Sequence, residues 1–510
     1  MLWVTATLAA CSWNWRQVFF EGQVYFVDPD CYSRMRRVQQ VMAAPWSTVK
    51  FHDFENAPAG VVPHTTAPMD LLIAAMAGAF KLAFWSSGSR SSASVLDLAG
   101  AFISPFLGAA LIAFLWWWGR KLSLPYRNAM LALAALSPIV AHGFQLGRPD
   151  HQSLIIFLIG AALAAEIAIW KQPSHAWEIL SAVLWALALW TSLFEPLVLF
   201  GATLLMRFVV RGTTAIPNRK AILAFVLLVA SMLFFEGWRV RAPSAEEGSY
   251  FFRWALNIGE LRHGSLSQLL CWSGWLLVVS PILLFWRSWA ERNSAYGALA
   301  TLLLLLTALA LWHLRWGYFL AIVAALSLPF ALVVVPRKPV AWLAFAISLW
   351  PMAEEWERQL YPNAEQEIAR EQDRQESYLL RETARTLIST ESTIILAPWW
   401  LSSAIAYWSG QRCVSGSSHQ SLPGIIDSSR FYLSTDPQEA REILAKRSVN
   451  YVIAYEPSRV IANSAQILGR APPKEPLGET IYKNPEAAPS FLRPVYKNQL
   501  FKVFEFVDRS

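Results

Sequence analysis

Four short segments hold the side chains with the most chemical reach: VDPDCYSRMRR at 27–37, GRPDHQ at 147–152, NIGE at 257–260 and HLRWGYF at 313–319. Each adjoins an apolar run. Three of them bring a carboxylate, Asp30, Asp150 and Glu260, and carboxylates at the mouths of different helices can converge on one divalent cation. Such an oxygen-rich set suits Mg²⁺ or Mn²⁺ better than zinc. Arg315 at the same depth suits a lipid phosphate, because the planar guanidinium fork pairs with phosphate oxygens. Each carboxylate also has a plainer reading. Asp28 or Asp30 can cap the helix-like SRMRRVQQVM, Asp150 can cap the run that begins near Ser153, and Glu260 can be a solvated loop residue.

The elements that must position these residues follow from composition. Of the 510 residues 55% are hydrophobic, only 15% are charged, and 26 are Trp, a balance that leaves a soluble protein of this size short of polar surface. Most of the chain must therefore face lipid. The net charge of +7 does not indicate nucleic acid, since the basic residues are scattered through short loops instead of massed on one face. The four cysteines, Cys11, Cys31, Cys271 and Cys413, form no CxxC pair or metal spacing, and nothing favours pairing of Cys31 with Cys413. The N-terminal run lacks a small-residue cleavage site and reads as an uncleaved first span.

Apolar runs of spanning length predict crossings near 2–20, 95–118, 128–146, 153–170, 177–192, 195–210, 219–236, 266–286, 295–312, 317–335 and 339–352. That gives about eleven spans, with thirteen as an upper figure. Lys/Arg-rich short loops at 120–127, 171, 207–220, 287–292 and 337–338 fall on alternate sides, which makes them cytoplasmic. The opposite, periplasmic face then holds 21–94, 145–151, 237–264, 313–315 and 354–510, and with them all four chemistry-bearing segments. The run 71–84 is short for a crossing, and a crossing there would invert every later loop, so it is expected to lie on the exterior surface or to re-enter.

The expected domains are a transmembrane domain, 1–353, with a large external loop at 21–94, and an extracytoplasmic domain, 354–510. The latter reads as a polar helix near 363–387, then STIILAP, the helix-like LSSAIAYW, PQEAREILAKR, VNYVIAY and the strand FKVFEFV, an alternation that predicts a small α/β layer. Other polar residues in apolar surroundings are Asp97, Glu166 and Glu195. Glu195 is a candidate for the metal site or the acceptor. The pairs Trp117/Trp118 and Trp312/Trp316 are expected to be interfacial anchors.

On these motifs the chain resembles the catalytic subunits of oligosaccharyltransferases, within the C-type superfamily of polytopic glycosyltransferases. The first external loop of that family has an Asp, an aromatic two residues on and an Arg six on, matched by Asp30, Tyr32 and Arg36. Its second acidic motif is matched at Asp150, with His151 following and Gln152 where the family has Asp, Glu or His. Its loop motif Thr/Ser-Ile/Val-x-Glu is similar to Asn257-Ile258-Gly259-Glu260, and PAGVVPHTTAPMD at 58–70 resembles the Pro- and Gly-rich first loop of bacterial relatives. An arginine entering a late span, placed like Arg315, contacts donor phosphates in the family. The acceptor signature Trp-Trp-Asp-Tyr-Gly is retained only as Trp399-Trp400, followed by Leu401-Ser402-Ser403.

The resemblance implies a GT-C fold in the inner membrane and an inverting, metal-dependent transfer of a sugar or glycan from a polyprenyl-linked donor to a protein or glycan acceptor. Asp30, Asp150 and Glu260 would be catalytic, and Asp30, Asp150, Gln152 and Glu260 would hold the metal. Arg315 would bind the donor phosphate. Tyr32, Arg36, His151, Glu195, Trp399 and Trp400 would serve the acceptor or support the site. Loss of the sequon signature favours a neighbouring possibility, a GT-C enzyme that uses a polyprenyl-monophosphate sugar to modify a lipid, glycan or hydroxyl acceptor. A transporter or a non-catalytic envelope-assembly protein is the alternative of another class, against which stands the lack of internal repeats.

Overall fold

The structure is a computed structural model that describes residues 1–44, 48–84, 92–239 and 245–507. Parts of the expected external segments 21–94, 237–264 and 354–510 lie outside those residues. The chain divides into two compact units that interleave in sequence: Met1–Val24, Thr65–Gly237 and Gly259–Ala364 in the first, Tyr25–His64, Trp238–Ile258 and Glu365–Ser510 in the second.

The first unit is helical. Its centre is the pair His151–Lys171 and Gly317–Leu332, the latter with every residue buried. Helices Phe194–Arg211 and Arg219–Glu236 instead turn Leu205, Val209, Leu223, Leu227 and Phe234 outward. Apolar side chains on the outside are what a helix in lipid requires, since lipid replaces water as the solvent of that face. Among the described residues four helices, Val95–Lys121, His151–Lys171, Ser294–Trp312 and Leu314–Leu332, are by length and composition able to cross a membrane, and a fifth is counted if a bent pair forms one span.

Several expected spans are interrupted. The run 2–20 forms only Leu2–Cys11 as a continuous helix before a short turn of helix, Trp15–Val18, and the hairpin β1 (Phe19–Phe20) and β2 (Gln23–Val24). Glu21 and Gly22 both have positive φ at this turn, as a tight two-residue hairpin loop requires. The run 128–146 splits into Arg127–Leu136 and Pro138–Gly143, because Pro138 removes a donor and excludes Ser137 from helical geometry. The run 266–286 becomes Leu266–Ser273 and Leu276–Ala290, bent by 79° at Gly274. Gly274 has φ +74°, and a side chain there would meet the Ser348 carbonyl. The last expected span ends at Ser348, and a new helix starts at Trp350. The run 71–84 does form a helix, Ala67–Phe84, which packs on the one that follows it.

The Trp pairs correct the anchor expectation in half. Trp118 and Trp316 are fully buried, while Trp117 and Trp312 are exposed. Neighbours on a helix point about 100° apart, so one of Trp117/Trp118 must turn inward when the other faces out. Glu166 is buried against the Ser181 hydroxyl, with Arg207 at 4.0 Å.

The second unit carries a five-stranded mixed sheet in the order β4-β3-β5-β7-β6, formed by β3 (Ile394–Leu396), β4 (Arg412–Cys413), β5 (Tyr451–Ala454), β6 (Leu492–Lys497) and β7 (Lys502–Phe506). β3 runs parallel to β4 and β5, and β7 is antiparallel to β5 and β6. Parallel neighbours need crossovers, supplied here by helices Trp399–Ser409, Leu422–Leu433 and Pro437–Lys446. The polar helix runs from Ala364 to Thr386. To this unit the loop after the first span adds helix Pro29–Ala43, and Glu55 is bonded there by His52, Ser418 and Ser421. None of the four cysteines is in a disulfide.

Candidate functional site

One group of charged side chains in the first unit centres on Arg148. The turn that holds it is pinned from three sides: Gly147 N–H donates to the Ala101 carbonyl (2.9 Å), Leu146 N–H to Cys11 (2.8 Å), and the Ser104 hydroxyl to the Arg148 carbonyl. So fixed, Arg148 Nη2 donates to Glu260 Oε1 at 2.8 Å, and Nη1 lies 3.1 Å from His142 Nε2. The Tyr318 hydroxyl donates to the same Glu260 oxygen at 3.1 Å and lies 3.0 Å from His142 Nδ1.

Glu260 sits in a single 3₁₀ turn, Gly259–Leu261, tied to the segment 313–316 by Leu314 N–H to the Arg262 carbonyl (3.0 Å) and by His313 against the Leu261 carbonyl (2.6 Å). Burial pushes the Glu260 carboxyl up, but Arg148 first, then Arg315 and His142, outweigh it and hold the group below its ordinary range. Asp150 acts in the opposite sense, which places a second carboxylate in the same neighbourhood.

Asp150 is the N-cap of His151–Lys171: its Oδ1 accepts from His151 N–H at 2.6 Å and meets His151 Nδ1 at 2.5 Å. Gln152 is buried, with its amide nitrogen unpartnered among the described residues. Arg315 is ion-paired with Glu195, which is fully buried.

Hard oxygens from Asp150, Gln152 and Glu260 are the right donor chemistry for a divalent cation. Among the described residues, however, no three His, Cys, Asp or Glu side chains are grouped to hold one. Glu260 Oε1 is already held by Arg148 and Tyr318, so an ion would bind through Oε2 or compete with that guanidinium.

Asp30, Tyr32, Arg36, Trp399 and Trp400 belong to the second unit. Asp28, not Asp30, caps helix Pro29–Ala43, accepting from Cys31 N–H at 2.9 Å. Asp30 is exposed in the first turn, where a carboxylate also opposes the positive helix end. Tyr32 is buried and its hydroxyl accepts from Phe26 N–H at 3.0 Å. Arg36 donates to the Gly410 carbonyl at 2.9 Å and to Gln39.

Trp399 and Trp400 open helix Trp399–Ser409, and the three residues after them are buried. Ser402 bonds the Pro398 carbonyl (3.1 Å) and Ser415 (2.9 Å), and Ser403 bonds Ser417 (3.3 Å). Their hydroxyls are committed to the fold.

Three of the residues around Glu260 carried no role in the sequence reading: Arg148, His142 and Tyr318. His142 had a usable signal, an ionisable side chain inside an expected span. Arg148 and Tyr318 lay within quoted segments but had no local mark.

No protein-family model and no curated protein matches the chain. Its fold does match solved structures. The Archaeoglobus fulgidus oligosaccharyltransferase AglB, in complex with an inhibitory peptide and a dolichol-phosphate, superposes with a TM-score of 0.63 at 14% identity, over 99% of this chain and 74% of that one. A complex of the A. fulgidus oligosaccharyltransferase with Zn and sulfate gives 0.60 at 14% identity, over 99% and 72%. ArnT from Cupriavidus metallidurans, bound to undecaprenyl phosphate, gives 0.54 at 11% identity, over 100% and 98%. The chain therefore has the fold of these GT-C glycosyltransferases along nearly its whole length.

Proposed function

We propose that this protein is a polytopic membrane glycosyltransferase that transfers a sugar or glycan from a polyprenyl-linked donor to an extracytoplasmic acceptor. The observation that carries the reading is the half-buried charge cluster Arg148–Glu260, with Arg315–Glu195 beside it, in a helical unit of GT-C fold. These charges lie in turns and at a helix start beside the apolar helices, where withdrawing Arg148 and Glu195 from water is costly, and a cluster of this kind is a candidate site for a charged ligand.

Arg148 and Arg315 are the cations for the donor's phosphate. Each is now paired with a glutamate, and a phosphate entering the cluster would exchange one anion for another at the same guanidinium. Tyr318 and His142 fix the orientation of Arg148 and Glu260. Asp30, exposed at a helix start, is the carboxylate proposed to hold or deprotonate the acceptor nucleophile, which attacks the anomeric carbon with inversion. A divalent cation, Mg²⁺ or Mn²⁺, would be held by Asp150, Gln152 and Glu260 and would stabilise charge on the leaving phosphate. The topology proposed with it puts the C-terminal unit and the site in the periplasm.

One observation favours the second reading, a polyprenyl-monophosphate sugar and a glycan, lipid or hydroxyl acceptor. Leu401, Ser402 and Ser403 replace the sequon signature, and both serine hydroxyls are already bonded within the fold. The test is a transfer assay on the purified protein with Asn-x-Thr and Asn-x-Ala peptides beside glycan and lipid acceptors. Transfer to any of these, abolished by Asp30→Ala, supports the enzyme reading. A preference of about a hundredfold for Thr over Ala, near 2.7 kcal/mol, would show that other residues read the hydroxyl and would exclude the second reading. Full activity in Asp30→Ala would remove that residue from the chemistry.

A further inference from the structure

The second unit contains a cleft of about 540 Å³, within the range of roughly 300–1,000 Å³ usual for small-molecule sites. Tyr32, Trp399, Trp400 and Trp408 give it aromatic walls, and Glu376, Arg459 and Asn463 stand among them.

These groups are held by one another. The Trp399 indole N–H donates to Asn463 Oδ1 at 3.0 Å, and Asn463 Nδ2 donates to Asn257 Oδ1 at 2.9 Å. Glu376 Oε2 accepts from the Tyr455 hydroxyl at 2.7 Å and from Arg459 Nη1 at 2.9 Å. The Arg459 guanidinium lies 5.9 Å from the Trp400 ring centre, and the rings of Trp399 and Trp400 meet edge-on at 85°. Among the described residues the Trp400 indole nitrogen is buried without a partner, a donor the fold leaves unused.

Aromatic faces beside a fixed carboxylate, guanidinium and amide are the surface a saccharide needs. Its C–H faces lie on rings, while its hydroxyls, each both donor and acceptor, meet planar polar groups that are already oriented. Two other ligand classes fit less well. The cleft is lined by helix side chains and by the loop residues Phe26, Val27, Asp28 and Asn257, and none of its lining residues belongs to a strand whose edge could pair with a peptide backbone. A phosphate would find a single cation, Arg459, on a wall that carries two carboxylates, Glu376 and Asp28.

We propose that this cleft binds a neutral oligosaccharide, and, resting on the glycosyltransferase reading, that this saccharide is the acceptor. The full-length protein in detergent is probed with an array of neutral tri- to hexasaccharides, an Asn-Val-Thr hexapeptide and undecaprenyl phosphate, and hits are titrated by tryptophan emission. At least one saccharide should bind and shift the emission. Trp400→Ala and Asn463→Ala should each weaken that binding at least tenfold, and Trp400→Phe should recover part of it, while undecaprenyl phosphate binding stays unchanged in all three.

Trp400-dependent binding of the hexapeptide without saccharide binding would make this a peptide site and overturn the proposal. So would an array without hits, or saccharide binding indifferent to both Trp400→Ala and Asn463→Ala. Saccharide binding as expected, with no transfer to any acceptor, would instead overturn the enzyme reading and leave the cleft's ligand standing.

Discussion

Removing Arg148 should expose how strongly the charge cluster is coupled. Its side chain is 8% exposed and that of Glu260 is 28% exposed, with 2.8 Å between them. Breaking a fully buried pair by deleting one partner costs about 3–5 kcal/mol. Because Glu260 keeps contact with water, solvent recovers part of this. The expected loss for Arg148→Ala is therefore about 1.5–3 kcal/mol, the range of a hydrogen bond to a charged group. Glu260→Gln should cost a comparable amount, since it strands the guanidinium. The double variant should lose less than the sum of the two, by about 1–2 kcal/mol, because the second change no longer breaks an existing pair.

The measurement is thermal unfolding of the four proteins in one detergent, with transfer rates measured in parallel. If the pair also positions the donor, kcat/KM should fall roughly tenfold to a hundredfold in each single variant, at about 1.4 kcal/mol per tenfold. Additivity within about 0.5 kcal/mol would refute the coupling. Unchanged transfer in both single variants would remove Arg148 and Glu260 from the donor site.

Glu55 is buried, and although burial pushes its carboxyl up, His52, Ser418 and Ser421 hold it below the ordinary range. A carboxyl depressed in the folded state stabilises the fold above its unfolded value of about 4.3 and loses that contribution as pH falls through the lower folded value. Acid unfolding followed by fluorescence should accordingly be steeper in the wild type than in Glu55→Gln. At neutral pH Glu55→Ala should cost about 3–5 kcal/mol in thermal unfolding, a loss under 1 kcal/mol being the contrary result. Gly424→Ala should destabilise the second unit by about 1–3 kcal/mol in the same measurement, because the added carbon would lie 1.8 Å from the Val414 carbonyl oxygen and the backbone must move. A reporter active only in the periplasm should work when fused after Ser510, and activity of a cytoplasmic reporter alone would reverse the proposed topology.

What the sequence determined by itself is local. Apolar runs imposed helices on the first unit, because backbone groups in lipid have no partner except one another. Caps and periodicity placed helices Pro29–Ala43 and Ala364–Thr386, and β-rich runs placed β3, β5 and β7. The motif order also carried the resemblance that the fold comparison bears out.

What only the tertiary structure decided is pairing at a distance. Arg148 finds Glu260 across 112 residues, and no spacing rule connects them. Arg315 meets Glu195, and Trp399 meets Asn463, because separate helices happen to deliver them to one place. The interruptions at Ser137 and Gly274 were written in Pro138 and Gly274 themselves, yet their effect was hidden inside runs whose average hydropathy still looked continuous. Hydropathy reports what a segment is dissolved in, whereas a site is made by which segments touch, and that is set by packing.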